Sequence, residues 1–371
     1  MNLKSILNLF SILILFFSFS YVLPIVVSII FNDGALKIFI TTLILIALLG
    51  SLGAFITRGA DSNLSQKDGF VIIVLFWIVL SLAGSIPFYL SGMSGIDSIF
   101  ESMSGITTTG ATAISNIEAL PESLLFYRQL LQWMGGMGLI VLAIAVMPLL
   151  GIGGGQIYKT EIPGAMGEQR LTPRIKETAQ ALWSIYFGLT VLCALLYYIN
   201  GMSMFDAVSH AMSTVAIGGF STHDESIGFF NSFSIELICI TFMLLSAFSF
   251  TLHYFAIYKR KPLKYIYDPE LRFFFSILLL IIVISLLLST FNNVNNSPSS
   301  REILFHSVSM LTTTGFSISN STDWPFSISF LLLIGAFIGA CSGSVGGGVK
   351  SWRVLIMLNH AYKNIMKIIH P

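Results

Sequence analysis

The sequence predicts an all-α membrane protein built from pseudo-symmetric repeats, with two further helices at its N-terminus. Hydrophobic residues make up 55% of the 371 residues and charged residues only 10%, whereas a soluble domain carries about 25% charged residues. Long apolar stretches recur along the whole chain, and a short Thr/Gly phrase appears three times between them. The composition indicates an integral membrane protein, and the phrase indicates an internal repeat.

Eight apolar stretches are long enough to cross a bilayer, for which a helix needs roughly 20 apolar residues. The first has no small-residue cleavage site and exceeds the core of a signal peptide, so we interpret it as a retained helix. The last is long and interrupted by glycines. The predicted spans are residues 6–31, 36–57, 70–90, 124–149, 179–200, 232–257, 273–291 and 326–358.

Positive charge is distributed unevenly between the two predicted sides of the membrane. Of the 19 lysines and arginines, 16 lie in the N-terminus or in every second connection, namely 58–69, 150–178, 258–272 and 350–371. The opposite side holds only Lys37, Arg128 and Arg301. Because lysine- and arginine-rich loops stay in the cytoplasm, the sequence predicts that both termini are cytoplasmic.

Three connections on the outer side contain a short segment followed by a Thr/Gly kink. They are Asp97–Thr112, Asp206–Thr222 and Ile303–Ser317, which we align on Gly110, Gly218 and Gly315. Eleven helical residues rise about 16 Å, roughly half of a hydrocarbon core about 30 Å thick. Such a segment enters the membrane without crossing it, so the repeat reads helix, pore helix, kink, helix.

We interpret the kinks as segments that line an ion pathway with carbonyl oxygens. Non-helical backbone at membrane depth is tolerated where it lines a water-filled cavity, and rings of carbonyl oxygens can replace the water shell of a cation. The C-terminal end of each short helix also favours a cation. The alternative is that the Thr/Gly runs serve only close helix packing.

The motifs around these kinks resemble the Trk/Ktr/HKT superfamily of potassium transporters, most closely its bacterial TrkH-like subunits. The resemblance covers nearly the whole chain. The motifs that carry it are the segments TTTGAT, AIGGFSTHD, TTTGF, RQLLQWMGGMG, LTPRIKETAQALW and GACSGSVGGGVKSWRVL.

The resemblance implies that each repeat supplies one quarter of a potassium selectivity filter. Glycine at the key positions goes with potassium selectivity in that family, whereas a serine at the first would suggest sodium. The filter residues are then Thr108, Thr109, Gly110, Ala111 and Thr112; Ala216, Ile217, Gly218, Gly219 and Phe220; and Thr313, Thr314, Gly315, Phe316 and Ser317.

The resemblance also implies a gate, formed by a glycine-rich intramembrane loop below the filter. A phosphate-binding loop is the alternative, but Val349 separates the glycines from Lys350, and such a loop follows a strand. Tight helix packing through small residues is another. The residues assigned to the gate are Gly343, Ser344, Gly346, Gly347, Gly348 and Lys350.

The family has four repeats, and we find three in this sequence, so we expect the fourth pore repeat to be absent. The predicted segments are 1–60 for the peripheral helices and 61–150, 151–260 and 261–371 for repeats 1 to 3. The resemblance further implies a bacterial inner-membrane location, a homodimer and a cytosolic ring of nucleotide-binding RCK domains. It implies potassium as the transported ion and no bound cofactor.

Other function classes are weaker. A truncated, non-conducting membrane subunit is the first alternative. An intramembrane serine protease is the second and would need a nucleophile such as Ser342 with a base such as His253, but it predicts no threefold repeat, so we expect no enzyme. A net charge of +1 without a basic patch gives no indication of nucleic-acid binding.

Overall fold

A computed structural model describes residues 3–59, 66–138, 175–291, 297–320 and 324–369. The second half of the predicted span 124–149 lies outside these residues, as does most of the predicted connection 150–178. The helices are α1 (Leu3–Ser18), α2 (Val22–Phe31), α3 (Leu36–Ile56), α4 (Gln66–Leu90), α5 (Gly95–Ile106), α6 (Glu122–Trp133), α7 (Ile175–Ile199), α8 (Met204–Val215), α9 (Phe233–Ala247), α10 (Phe250–Ile257), α11 (Lys264–Tyr267), α12 (Pro269–Phe291), α13 (Ser300–Leu311), α14 (Phe326–Ile338) and α15 (Ser351–Ile369).

The described helices confirm an all-helical membrane fold. Four stretches are long and apolar enough to cross a membrane, namely Leu3–Phe31, Leu36–Ile56, Gln180–Ile199 and Pro269–Phe291. Helices α9 and α10 form a fifth candidate as a bent pair. Two shorter apolar helices, Val74–Leu90 and Phe326–Ile338, complete the set.

One predicted span differs from the structure. The stretch 232–257 is not one straight helix, because α9 and α10 meet at an angle of 96°. A second break, in the stretch 326–358, agrees with the glycine interruption predicted there: α14 ends at Ile338, and α15 begins only at Ser351. Consecutive glycines in the intervening segment each disfavour helix by about 1 kcal/mol relative to alanine, which explains this second break.

The chain forms two compact units, residues Met1–Asp224 and Glu225–Pro371. In the first unit α1 packs along α3. The backbones approach so closely that a Cβ built on Gly50 would lie 2.8 Å from the backbone nitrogen of Leu15. Small residues permit this kind of close helix contact in membranes.

Hydrogen bonds join the N-terminal helices to the rest of the first unit, within surfaces that are otherwise apolar. The Asp33 carboxylate accepts a hydrogen bond from the Ser123 backbone N–H at 2.8 Å, at the start of α6. The hydroxyls of Tyr21 and Tyr127 donate to Ala83 O at 2.9 Å and Gly84 O at 3.0 Å on α4. The peripheral helices are thereby held against the first repeat.

In the second unit, α13 packs against three helices, α9, α12 and α14. Arg301, in the first turn of α13, makes a two-pronged ion pair with Glu236 of α9, with both N–O distances 2.6 Å. A bidentate pair fixes orientation as well as distance. The start of α13 is therefore held in a defined position on α9.

Candidate functional site

The three predicted short helices are present and have equal length. Helices α5, α8 and α13, hereafter the half-helices, contain 12 residues each. Twelve helical residues rise about 18 Å, too little to cross a bilayer core of about 30 Å. Each half-helix is followed by non-helical backbone, so the interpretation of the Thr/Gly runs as helix-packing surfaces is wrong for these segments.

Each half-helix starts with the same cap. The hydroxyls of Ser94, Ser203 and Ser299 accept hydrogen bonds from backbone N–H groups three residues later. The N-cap residues are thus serines, and Asp97 and Asp206 lie within the helices. These two aspartates occupy the position three residues after the cap, as Glu302 does in the third copy, where an acidic side chain stabilises the helix N-terminus.

The backbone after each half-helix follows one pattern, which defines three non-helical segments: residues 107–112, 216–221 and 312–317. We call them the filter strands, after the role predicted for them from the sequence. The second residue has a left-handed φ: 55° at Thr108, 53° at Ile217 and 65° at Thr313. Two residues later a glycine repeats it, with φ of 77°, 79° and 84° at the three positions Gly110, Gly219 and Gly315.

This pattern corrects the alignment made from the sequence. The equivalent of Gly110 and Gly315 in the second strand is Gly219, not Gly218, which has no positive φ. The left-handed backbone conformation is strained for a residue with a Cβ, whereas glycine adopts it readily. Gly218 instead corresponds to Thr109 and Thr314, and Asp206 corresponds to Asp97 rather than to Ser98.

Strands 1 and 3 are held by matching pairs of threonines. The hydroxyl oxygens of Thr107 and Thr109 are 2.8 Å apart, and those of Thr312 and Thr314 are 2.7 Å apart. The first member of each pair also donates to a carbonyl in the preceding half-helix. Each pair therefore ties its strand to the end of its own half-helix.

The second strand has no such pair, because its equivalent residues are Ala216 and Gly218. It is held instead by the amide of Gln132 on α6. The Gln132 nitrogen donates to Gly218 O at 2.6 Å, and its oxygen accepts from Phe220 N at 3.1 Å and from the Ser213 hydroxyl at 2.6 Å. No local pattern in the sequence distinguishes Gln132 from its neighbours.

Strands 1 and 2 are joined by a buried ion pair. Arg128 Nε lies 2.6 Å from a carboxylate oxygen of Glu101, and both side chains are 0% exposed. Arg128 also donates to Ser221 O at 3.0 Å, and its guanidinium lies 4.3 Å from the centre of the Phe220 ring. Removing one member of a buried pair typically costs about 3–5 kcal/mol. A lone arginine in an apolar span was the sequence signal for this site, although we interpreted it only as a charge on the outer side.

In the first two half-helices, the residue at one equivalent position forms hydrogen bonds with the chain that follows the key glycine. This position holds Glu101 in the first and His210 in the second. Glu101 accepts hydrogen bonds from the Thr112 hydroxyl at 3.0 Å and from Ala113 N at 3.2 Å. His210 makes the equivalent contact to the Ser221 hydroxyl at 2.9 Å. These two buried groups therefore have structural partners.

A charged cluster lies where the chain leaves the second strand. His223 lies 3.0 Å from Glu118 and 3.3 Å from Asp206. Burial lowers the pKa of His223, but hydrogen bonds and attraction to the two carboxylates outweigh that cost and raise it above 6.5. Asp206 and Glu118 are thus engaged with a histidine rather than isolated.

The glycine-rich loop, residues 339–350, contacts the third filter strand directly. Gly347 N donates to the Thr313 hydroxyl at 2.7 Å. The loop folds on itself so tightly that a Cβ on Gly348 would lie 2.5 Å from Gly339 Cα. The loop thus lies beside one of the left-handed positions of the strand.

The loop is fastened at both ends by Glu270, the second residue of α12. One Glu270 oxygen accepts from Ser342 N at 2.5 Å and from Trp352 N at 3.0 Å. The break between α9 and α10 adds two bonds, Cys341 N to Ala247 O at 3.1 Å and Phe250 N to Gly343 O at 3.0 Å. These anchors were not predicted from the sequence, because the contacts join distant parts of the chain.

The Lys350 side chain forms hydrogen bonds within the same loop. Its ammonium group donates to Gly346 O and, at 3.4 Å, to Ser344 O, so its side chain folds back over the loop that precedes it. Lys350 has a φ of 79°, an unusual conformation for a residue with a side chain. These contacts fit neither a phosphate-binding loop, which follows a strand, nor a pair of packed helices.

The protease alternative is not supported by the geometry. The two ring nitrogens of His253 lie 2.5 Å from the Tyr265 hydroxyl and 2.8 Å from Leu245 O. A base of a serine protease must instead share a hydrogen bond with the nucleophile. Within the described residues no hydrogen bond joins His253 to Ser342.

Comparisons with known proteins agree with the geometry. The family model described as TrkH, cation transport protein, matches residues 35–371. A Trk system potassium uptake protein TrkH from Halomonas elongata is 48% identical over 375 residues, covering 100% of this chain and 78% of that protein. Its counterpart from Escherichia coli K12 is 42% identical over 376 residues, with coverages of 100% and 78%.

A solved structure is also similar. The crystal structure of the potassium transporter TrkH from Vibrio parahaemolyticus matches with a TM-score of 0.88 and 43% identity, covering 100% of this chain and 77% of that one. The prediction that a fourth repeat is missing is not supported by these comparisons.

Proposed function

The chain belongs to the TrkH family of cation transport proteins, and on that premise we propose that it takes up potassium ions across the bacterial cytoplasmic membrane. The observation that carries the proposal is the threefold recurrence of one unit. A capped half-helix of 12 residues leads into a strand with left-handed backbone at its second residue and at a glycine two residues later.

This unit has the properties that a dehydrated cation needs. A left-handed residue followed two positions later by a left-handed glycine turns successive carbonyl groups in a way that ordinary helix or strand does not. Carbonyl oxygens can replace the hydration shell of an ion, and the negative end of each half-helix dipole adds attraction. In this proposal the filter is formed by the residues predicted from the sequence, with Gly219 as the key glycine of the second strand.

We propose that the loop 339–350 is the gate. Three observations support this: the loop interrupts what would otherwise be one membrane helix, it touches the filter strand at Thr313, and it is held by hydrogen bonds that a small movement could break. Glu270 and Lys350 are the side chains that hold it closed. Opening the gate would release these contacts.

The proposed setting follows from the charge distribution and from the family. The lysine- and arginine-rich connections would face the cytoplasm, with both termini on that side. The segments 1–60, 61–150, 151–260 and 261–371 would be the peripheral helices and three filter repeats. A homodimer and a cytosolic ring of nucleotide-binding RCK domains are the proposed partners, and potassium is the transported ion rather than a cofactor.

The test is ion uptake by the purified full chain in lipid vesicles. Vesicles loaded with potassium chloride are placed in a low-potassium medium that contains tracer rubidium. Uptake is followed without competitor and with excess external sodium or excess external potassium. We expect rubidium uptake that excess potassium suppresses and excess sodium does not. Uptake equal to that of protein-free vesicles would contradict the proposal and favour a non-conducting subunit, whereas equal suppression by both ions would contradict potassium selectivity.

A further inference from the structure

We propose that Gln132 is a positioning residue, whose amide replaces in the second filter strand the threonine hydroxyls that hold strands 1 and 3. The inference rests on the proposed function, since its consequence is discrimination among cations. It concerns a residue on α6, outside all three filter strands, that acts on the ion path through the strand backbone.

The first observation is a difference among three otherwise equivalent strands. The position before the key glycine holds Thr109 in strand 1 and Thr314 in strand 3, and each hydroxyl is bonded to another threonine two residues earlier. The equivalent position in strand 2 is Gly218. All three strands keep a backbone bond to their half-helix, which in strand 2 runs from Gly218 N to Ser213 O at 2.9 Å. Strand 2 therefore lacks only the side-chain link, unless another group supplies it.

The second observation is that Gln132 occupies the space of the missing side chain. A Cβ built on Gly218 would lie 2.3 Å from the amide carbon of Gln132, 2.4 Å from its oxygen and 2.8 Å from its nitrogen. Gln132 is fully buried. Its amide therefore occupies the volume that a threonine at this position would fill.

The third observation is that the Gln132 amide restores the link between strand and half-helix. Its oxygen accepts from the Ser213 hydroxyl on α8 and from Phe220 N in the strand, while its nitrogen donates to Gly218 O. One side chain thus connects α6, the half-helix and the strand on both sides of Gly219. All three of its contacts are to residues of the second repeat.

The arrangement also sets the spacing between strands 1 and 2. A Cβ on Gly110 would lie 2.1 Å from Gly218 O, so that carbonyl is in close contact with the key glycine of strand 1. The same oxygen accepts the Gln132 hydrogen bond. Loss of the bond would free the Gly218 carbonyl to rotate against Gly110.

The first experiment compares Gln132→Leu with Gln129→Leu in the vesicle assay. Gln129 is buried on the same helix, and its amide makes no hydrogen bond within the described part of the chain, so it is a matched control for removing a buried amide. We expect Gln132→Leu to lower the preference for potassium over sodium about tenfold, because a tenfold change corresponds to the cost of leaving one buried polar group unpaired. We expect Gln129→Leu to leave the preference unchanged.

The second experiment transfers the threonine pair. The triple variant Gln132→Ala, Ala216→Thr and Gly218→Thr builds in strand 2 the hydroxyls of strands 1 and 3, in the space that the shortened side chain vacates. We expect it to regain most of the preference that Gln132→Ala alone loses. Gly218→Thr with Gln132 intact should accumulate poorly in the membrane, because the two side chains occupy the same space.

The outcomes separate this inference from the proposed function. A wild-type protein without selective uptake contradicts the proposed function. If the wild type is selective, unchanged selectivity in Gln132→Leu overturns the inference, as does an equal loss in Gln129→Leu. Where Gln132→Leu or Gln132→Ala does not fold, the triple variant decides: selective uptake supports the inference, and non-selective uptake or failure to fold overturns it.

Discussion

Among single residues, two glycines of the filter strands disfavour a side chain, and the reasons differ between them. Gly110 and Gly315 both have left-handed backbone, which costs a residue with a Cβ roughly 1–2 kcal/mol. Only Gly110 also lies against another backbone group, since its Cβ would sit 2.1 Å from Gly218 O, while a Cβ on Gly315 meets nothing within 4 Å. The two glycines are thus equal in conformation and unequal in surroundings.

This difference predicts unequal effects of one substitution. Gly110→Ser should lower the preference for potassium over sodium more than Gly315→Ser does, because it must displace a backbone carbonyl of the second strand. Rubidium uptake against sodium competition measures both variants, with the amount of folded protein in the membrane as the control. Equal losses would show that the left-handed conformation alone matters.

The His223 cluster predicts a dependence of stability on pH. Because contacts with Asp206 and Glu118 raise the pKa of His223 in the folded protein, they stabilise the fold fully below about pH 6.5 and less as the pH rises through the folded-state pKa. The unfolding temperature of the wild type should therefore exceed that of His223→Gln at about pH 5.5, and the gap should shrink by about pH 8. A constant gap would contradict the charged state of His223.

At the scale of an element, the glycine-rich loop shows how a segment that cannot be helical is still held in one conformation. Glycines remove the helix preference, and Glu270 then replaces the missing backbone partners at both ends of the loop. Without that carboxylate, two backbone N–H groups lose their acceptor, at a cost of about 1–3 kcal/mol for each donor left unpaired in a buried site.

Glu270→Ala should therefore weaken the closed loop and increase ion flux several-fold. Asp268 provides the matched control, because its carboxylate accepts from Leu271 N of the same helix at 2.8 Å and makes no hydrogen bond to the loop within the described residues. Asp268→Ala should leave flux unchanged. Equal flux in Glu270→Ala and the wild type, both correctly folded, would show that Glu270 is not part of the gate.

At the scale of the whole molecule, the asymmetry of positive charge predicts the orientation of every loop. The three native cysteines, Cys193, Cys239 and Cys341, are all buried, so a cysteine introduced at an exposed loop position should be the main site of labelling. Ser91, between α4 and α5, and Lys261, between α10 and α11, are both exposed and lie on opposite predicted sides.

Labelling with a membrane-impermeant maleimide tests this orientation. Ser91→Cys should react in intact cells, and Lys261→Cys only after the cells are made permeable, because the second loop carries the lysines and arginines that remain in the cytoplasm. The unmodified chain measures the background from the native cysteines. Reaction of Lys261→Cys in intact cells would contradict cytoplasmic termini.

Features that depend on local pattern can be predicted from the amino-acid sequence alone. Apolar stretches located the membrane helices, because length and hydropathy are read along the chain. The three half-helices and their Thr/Gly kinks followed from segments too short to cross and from residues that resist helix. The resemblance of these same motifs to a transporter family was equally local, and the comparisons confirm it.

Features that depend on contacts between distant residues emerge only in the folded chain. The register of the second strand was misread by one residue, because Gly218 and Gly219 are indistinguishable until the backbone φ is known. Gln132 reaches Gly218 across 86 residues, Arg128 reaches Ser221 across 93, and Glu270 reaches Ser342 across 72. Such pairings leave no periodic signal in the chain, because a side chain buried against another segment is selected by the shape and polarity of that segment alone.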